Sequence, residues 1–304
     1  MRLERPLAVK ASLIRPSLSK LGLGAGQLPF GAAGAARGRP PEVELREMLV
    51  AAARASLGFL DAGAASAAAE QGLGVQTPRP SPFKLIVRSA RGDKGPDSVE
   101  DEARASLLRL RVESAQAIVV QAASDLFAPA GEALWERLKL LRDAGLFQQV
   151  GICAYASDDP VGLARRFKPD LIQAPASLLD QRLLLDGSLM AVRDLGVEVH
   201  LRSIFLNGLL FLPPDRVPAQ QRGAAGRLSR ARRMIAEGRS DPLQAALGFA
   251  LSRPEADAVI VGASTLSELS AVIAAAASPP PDLDWDEMAL DDPVVLDASR
   301  WAAA

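Results

Sequence analysis

Cysteine, histidine and tyrosine each occur once in the 304 residues, at Cys153, His200 and Tyr155, and aromatic residues make up 4% of the chain. One cysteine excludes an intramolecular disulfide framework and predicts a reducing compartment, the cytoplasm. The scarcity of histidine and tyrosine withholds common proton donors, so general acid chemistry would fall to very few positions. No metal site is expected.

An excess of charge of either sign is also lacking. Lysine and arginine number 35 against 36 aspartates and glutamates, which argues against nucleic acid or an anionic membrane as partner. A basic run, RGAAGRLSRARRMIAEGR, has helical spacing and reads as a solvated helix face. No stretch approaches the ~20 apolar residues of a membrane span. The amino-terminal residues lack the apolar core of a signal peptide. The expected partner is therefore a small molecule, met in solution.

What is present is a repeated alternation. Short apolar runs, KLGLGAGQ, LGFLDA, FKLIVRS, AQAIVVQA, QVGICAY, PDLIQAP, VEVHLRS and DAVIVGA, are separated by segments such as EVELREMLVAAARAS and EALWERLKLLRDAG. In those segments apolar residues recur three and four apart, as a helix packed on one face requires. Continuous apolar strands linked by helices form parallel sheets buried on both faces. Eight of them in a chain of this length predict a closed (β/α)8 TIM barrel occupying residues 1–304 as a single domain. The glycine-rich stretch LGLGAGQLPFGAAGAARG is followed by a proline-containing loop rather than a helix, so it reads as a barrel strand with its loop, not as a dinucleotide fingerprint.

In such a barrel, chemistry sits at the carboxyl ends of the strands. Asp61, Arg88, Gln121, Cys153, Gln173, Arg202 and Gly262 all fall at or just past those ends.

The ordered set LGLGAGQ, RDAGLFQQVGICAY, QAPASLLDQR, LRSIFLNGLL, VIVGASTLSEL and LDASRW resembles the aldo-keto reductases, NAD(P)H-dependent carbonyl reductases built on this barrel. It is most similar to a bacterial branch carrying a vRSvFLQGLL segment. The resemblance implies a catalytic tetrad: a tyrosine protonates the developing alkoxide, a lysine lowers its pKa, an aspartate pairs with the lysine, and a histidine orients the carbonyl. FLDAGAASAAAEQGLG resembles the family pattern DTApaYGdSEevLG, which puts Asp61 on the aspartate and Ser66 on the tyrosine; Arg88 then falls on the lysine and Gln121 on the histidine. Three of the four positions are replaced.

Neighbouring residues offer no ready substitute. Lys84 lies four residues before Arg88, roughly 13 Å along an extended strand, and is expected toward the barrel's other end. Tyr155 stands where the family has an aromatic and reads as packing, with proton donation the lesser reading. His200 reads as core. Arg88, always charged, is expected to form a fixed ion pair with Asp61.

For the cofactor, NADP or NAD, the resemblance implies Cys153, Gln173, Ser177, Arg202, Gly262 and Ser264. Cys153 and Ser177 replace the family's serine and asparagine, and no lysine or arginine lies between Arg253 and Arg300 to clamp an NADP 2′-phosphate. Ordinary carbonyl reduction is therefore expected to be lost or strongly altered. Two functions are compatible with these residues. One is an oxidoreductase with a changed substrate, such as a carbohydrate handled by Ser66, Gln121 and a water. The other is a non-catalytic barrel that binds a ligand or partner, linked through the branch to bacterial surface-sugar biosynthesis.

Overall fold

Eight short, largely apolar segments form strands β1 (Leu21–Gly24), β2 (Phe59–Asp61), β3 (Lys84–Arg88), β4 (Ala115–Val120), β5 (Phe147–Cys153), β6 (Leu171–Pro175), β7 (Glu198–Arg202) and β8 (Ala258–Gly262). The computed structural model describes residues 18–28, 42–63 and 67–297. All strand pairs are parallel, each strand lies beside the next in sequence, and β8 closes on β1 to make a barrel. The sequence alternation thus becomes the closed (β/α)8 barrel it predicts.

Helices follow the strands on the outside. They are α1 (Glu42–Arg54), α2 (Ala67–Gln76), α3 (Pro96–Arg109), α4 (Gly131–Asp143), α5 (Pro160–Phe167), the short α6 (Arg182–Leu185), α7 (Ser188–Asp194), α8 (Ala225–Glu237), α9 (Pro242–Leu251) and α10 (Leu266–Ala277). The long helices bury one stripe each, except α9, which is buried all round from Ala245 to Leu251. In α4 that stripe is Leu134, Trp135, Leu138 and Leu141, with the Trp135 indole N–H satisfied by the Phe167 carbonyl at 3.0 Å. Burying each such aliphatic side chain contributes roughly 1.5–3 kcal/mol.

Because side chains alternate across a strand, every second residue points into the barrel. Phe59, Ile86, Ala117, Val119, Cys153, Leu171, Ala258 and Ile260 pack together there, as a cluster separate from the strand–helix shell. The interior is narrow enough to need glycines. A Cβ at Gly22 would lie 2.6 Å from Ile260 Cδ1, and one at Gly151 would lie 2.7 Å from Leu171 Cγ. His200 sits in this interior at 0% exposure, edge-on to Phe59. Lys84 is at the opposite end of β3 from Arg88, with its ammonium 5.3 Å from the centre of the Phe59 ring.

The basic run forms α8. It buries Leu228, Ala231 and Ile235, while Arg227 and Arg230 pair with Asp291 and Glu287 on its exposed side. Among the described residues no helix is long and apolar enough to cross a membrane.

Candidate functional site

The inward alternation that builds the core also sets the mouth. Two residues beyond Phe59 is Asp61, two beyond Ile86 is Arg88, two beyond Leu171 is Gln173, two beyond His200 is Arg202, and two beyond Ile260 is Gly262. Carrying the same period past the end of β4 reaches Gln121.

Asp61, Arg88 and Gln173 close into a triangle. The Asp61 carboxylate receives Arg88 Nη2 at 3.0 Å, Gln173 Nε2 at 2.9 Å and the Gly63 N–H at 2.8 Å. Arg88 also donates to Gln173 Oε1. Asp61 is 2% exposed and the Arg88 side chain 13%. Burial alone would raise the Asp61 pKa, but the Arg88 charge and the three donors outweigh it, and the carboxyl is held below its ordinary value. Burial would likewise lower Arg88, and the facing carboxylate reverses this, so the guanidinium is held above its ordinary range. Both groups are locked in their charged forms.

Arg202 stands on the other side of the mouth in a different state. Its guanidinium carbon lies 4.3 Å from the centre of the Tyr155 ring, a cation–π arrangement. Among the described residues its Nε is buried without a partner, Nη2 reaches the Ala154 carbonyl at 3.3 Å, and Nη1 reaches Ser203 Oγ at 3.5 Å. The loop that follows is strained. Ser203, Leu206 and Asn207 have φ of 59°, 45° and 51°, a left-handed region that costs a branched side chain such as Leu206 on the order of 1–2 kcal/mol. This loop and Arg202 wall a cleft of about 330 Å³, whose floor carries Asp61, Arg88 and Cys153 and whose rim carries Gln121. A second, more apolar cleft of about 390 Å³ adjoins it through Phe205, Asn207 and Gly262 and extends to Glu268 and Val272.

The start of a helix such as α10 ordinarily offers backbone N–H groups to a phosphate. They are taken. Glu268 Oε2 accepts the Ser264 N–H at 2.8 Å and the Ser264 hydroxyl at 3.0 Å, Glu44 Oε1 accepts the Leu266 N–H at 3.0 Å, and Thr265 Oγ1 accepts the Glu268 N–H at 3.1 Å. Two carboxylates already supply the negative charge that a helix N-terminus attracts. Ser264 is therefore committed to Glu268. Sequence signal for this existed: Thr265-Leu-Ser-Glu268 fits the T-x-x-E capping pattern.

Ser177 also departs from its expected place. It is 1% exposed, and its Oγ accepts the N–H groups of Leu179 and Asp180 at 3.2 and 2.9 Å, so it holds the turn after β6. Gln173 is drawn into the ion pair, a role that sequence reasoning missed. Tyr155, read as packing, lines the cleft. Ser66 lies outside the described residues. No group of three or more histidine, cysteine, aspartate or glutamate side chains could hold a metal among the described residues.

Residues 20–289 match the family model described as the aldo/keto reductase family. Among solved structures, an aldo-keto reductase of Bacillus halodurans in its holo form is similar at 19% identity and a TM-score of 0.70, over 86% of this chain and 87% of that one. Its apo form gives 17% identity and 0.66, over 88% and 90%. A structure described as a putative aldo-keto reductase of Pseudomonas aeruginosa gives 16% and 0.62, over 85% and 90%. No curated protein sequence matches the chain significantly.

Proposed function

Since the chain belongs to the aldo/keto reductase family, we propose that its barrel mouth is a small-molecule binding site in which ordinary NAD(P)H-dependent carbonyl reduction is lost or strongly altered. The observation that carries this reading is the closed Asp61–Arg88–Gln173 triangle. A general acid must give up a proton near the working pH. Arg88 is held protonated and Asp61 ionised, so the ion pair orders the mouth without exchanging protons.

The family's cofactor finds little at α10 to hold its phosphate. The first turn of α10 presents two carboxylates and no free N–H at Ser264, Leu266 or Glu268, and no cation lies between Arg253 and Arg300. Arg227, an alternative source of charge, is paired with Asp291. These residues do not fit a dinucleotide phosphate at that turn, NADP least of all.

A second reading, an oxidoreductase acting on an altered substrate such as a carbohydrate, draws on one feature. A polar pocket of about 480 Å³ lined by Ser89, Arg91, Lys94 and Gln121 adjoins the mouth through Arg88, and such groups suit hydroxyls. Cytoplasmic location is supported by the single, buried Cys153. The deciding experiment is steady-state reduction of simple aldehydes and aldoses with NADPH and NADH. Turnover is expected at least ~10²-fold below the enzyme median of ~10 s⁻¹; a rate near that median would overturn the proposal.

A further inference from the structure

Charge at the mouth does not balance. Among the described residues, the ionised side chains lining the cleft are Asp61, Arg88 and Arg202. The first two neutralise each other, and Arg202 has no acidic partner among the described residues. Among the described residues its buried Nε has no acceptor, and its two terminal nitrogens make only long contacts with neutral oxygens. A buried donor left unpaired is costly, and a guanidinium presents its donors as a planar fork that matches a planar oxyanion. Tyr155 holds that fork in place from one face.

We infer that the mouth binds a small monocarboxylic acid, its carboxylate on Arg202 and an apolar body against Phe205 and Ile260. This rests on the reading of the mouth as a binding site. One uncompensated positive charge matches one negative charge, whereas a phosphate dianion would remain half unpaired beside Asp61. Phe205, part-exposed, lines the same cleft as Arg202 beside the more buried Ile260, and a ligand without an apolar part would leave the Phe205 ring in contact with water. The left-handed backbone at Ser203, Leu206 and Asn207 builds this wall, and strain of that kind persists where a clamp is held by its surroundings.

The test is calorimetric titration of the full chain with benzoate, with benzamide as uncharged isostere and inorganic phosphate as competing anion. Benzoate is expected to bind saturably, at least about ten-fold more tightly than benzamide, as a charge-assisted contact requires. Arg202→Gln is expected to remove that advantage, Arg202→Lys to keep part of it, and Arg54→Gln, at an exposed site on α1, to change nothing. Equal binding of benzoate and benzamide, tighter binding of phosphate, or no benzoate binding would each overturn the inference. The benzoate-to-benzamide ratio on the unaltered chain decides the matter even where circular dichroism shows the Arg202 variants unfolded. Aldehyde turnover is scored separately. Rapid turnover alongside benzoate binding overturns only the loss of reduction, whereas absent turnover without benzoate binding overturns only the carboxylate site.

Discussion

Gln173 bridges Asp61 and Arg88, giving its amide N–H to the carboxylate at 2.9 Å and taking an N–H of the guanidinium on its carbonyl oxygen. The ion pair therefore has a third member, reached across the barrel from β6, and all three behave as one structural unit. Four measurable consequences come from this unit and from the start of α10.

Removing one charge strands the other. Asp61→Ala is expected to destabilise the fold by about 3–5 kcal/mol, because Arg88 stays charged and loses its only carboxylate among the described residues. The double variant Asp61→Leu with Arg88→Met should recover much of that loss. Chemical denaturation of the singles and the double measures the coupling. Additive losses, or a neutral Asp61→Ala, would show that the pair contributes no stability.

Gln173→Leu keeps both charges and the salt bridge but leaves one donor of Arg88 and one acceptor site of Asp61 without a partner inside the barrel. An unsatisfied buried polar group costs about 1–3 kcal/mol, so a loss in that range is expected. Gln173→Glu should cost more, since it places a second carboxylate against Asp61. Comparing the two variants by thermal melts separates a hydrogen-bonding role from space filling.

Acid should unfold the protein partly through Asp61. Its folded pKa lies below its ordinary value, so the folded state binds fewer protons than the unfolded state in that range. The stability it contributes is fully present above the unfolded carboxyl pKa of about 3.9. It is lost as pH falls through the lower folded value. Stability curves from pH 6 to pH 2 should be less steep for the Asp61→Leu, Arg88→Met double variant than for the unaltered chain. Identical slopes would contradict the assignment.

Glu268 is expected to exclude phosphate from α10. Glu268→Ala should cost about 0.5–1.5 kcal/mol through the lost cap. Combined with Glu44→Gln, it should raise the affinity for NADPH relative to NADH in a fluorescence titration. The unaltered chain should show no NADPH preference; a ten-fold preference would mean that another cation reaches the 2′-phosphate.

The sequence by itself determined the barrel and which strand-end residues, Asp61, Arg88 and Arg202 among them, face its mouth. Both are carried by short-range periodicity: a strand buried on both faces is a continuous apolar run, and the period of two that points Ile86 inward also points Arg88 inward. The Asp61–Arg88 pair was legible for the same reason, since neighbouring strands bring their last residues together. The partners of each polar atom were decided only by closure of the barrel. Gln173 is 112 residues from Asp61 and Glu44 is 222 from Leu266, so no local pattern could join them. Arg202 carries no local mark of being unpaired; that depends on which carboxylates the closed barrel places within reach, and it places none there among the described residues. Local rules choose which way a side chain points, while its hydrogen-bond partners are set by register and curvature accumulated around all eight strands.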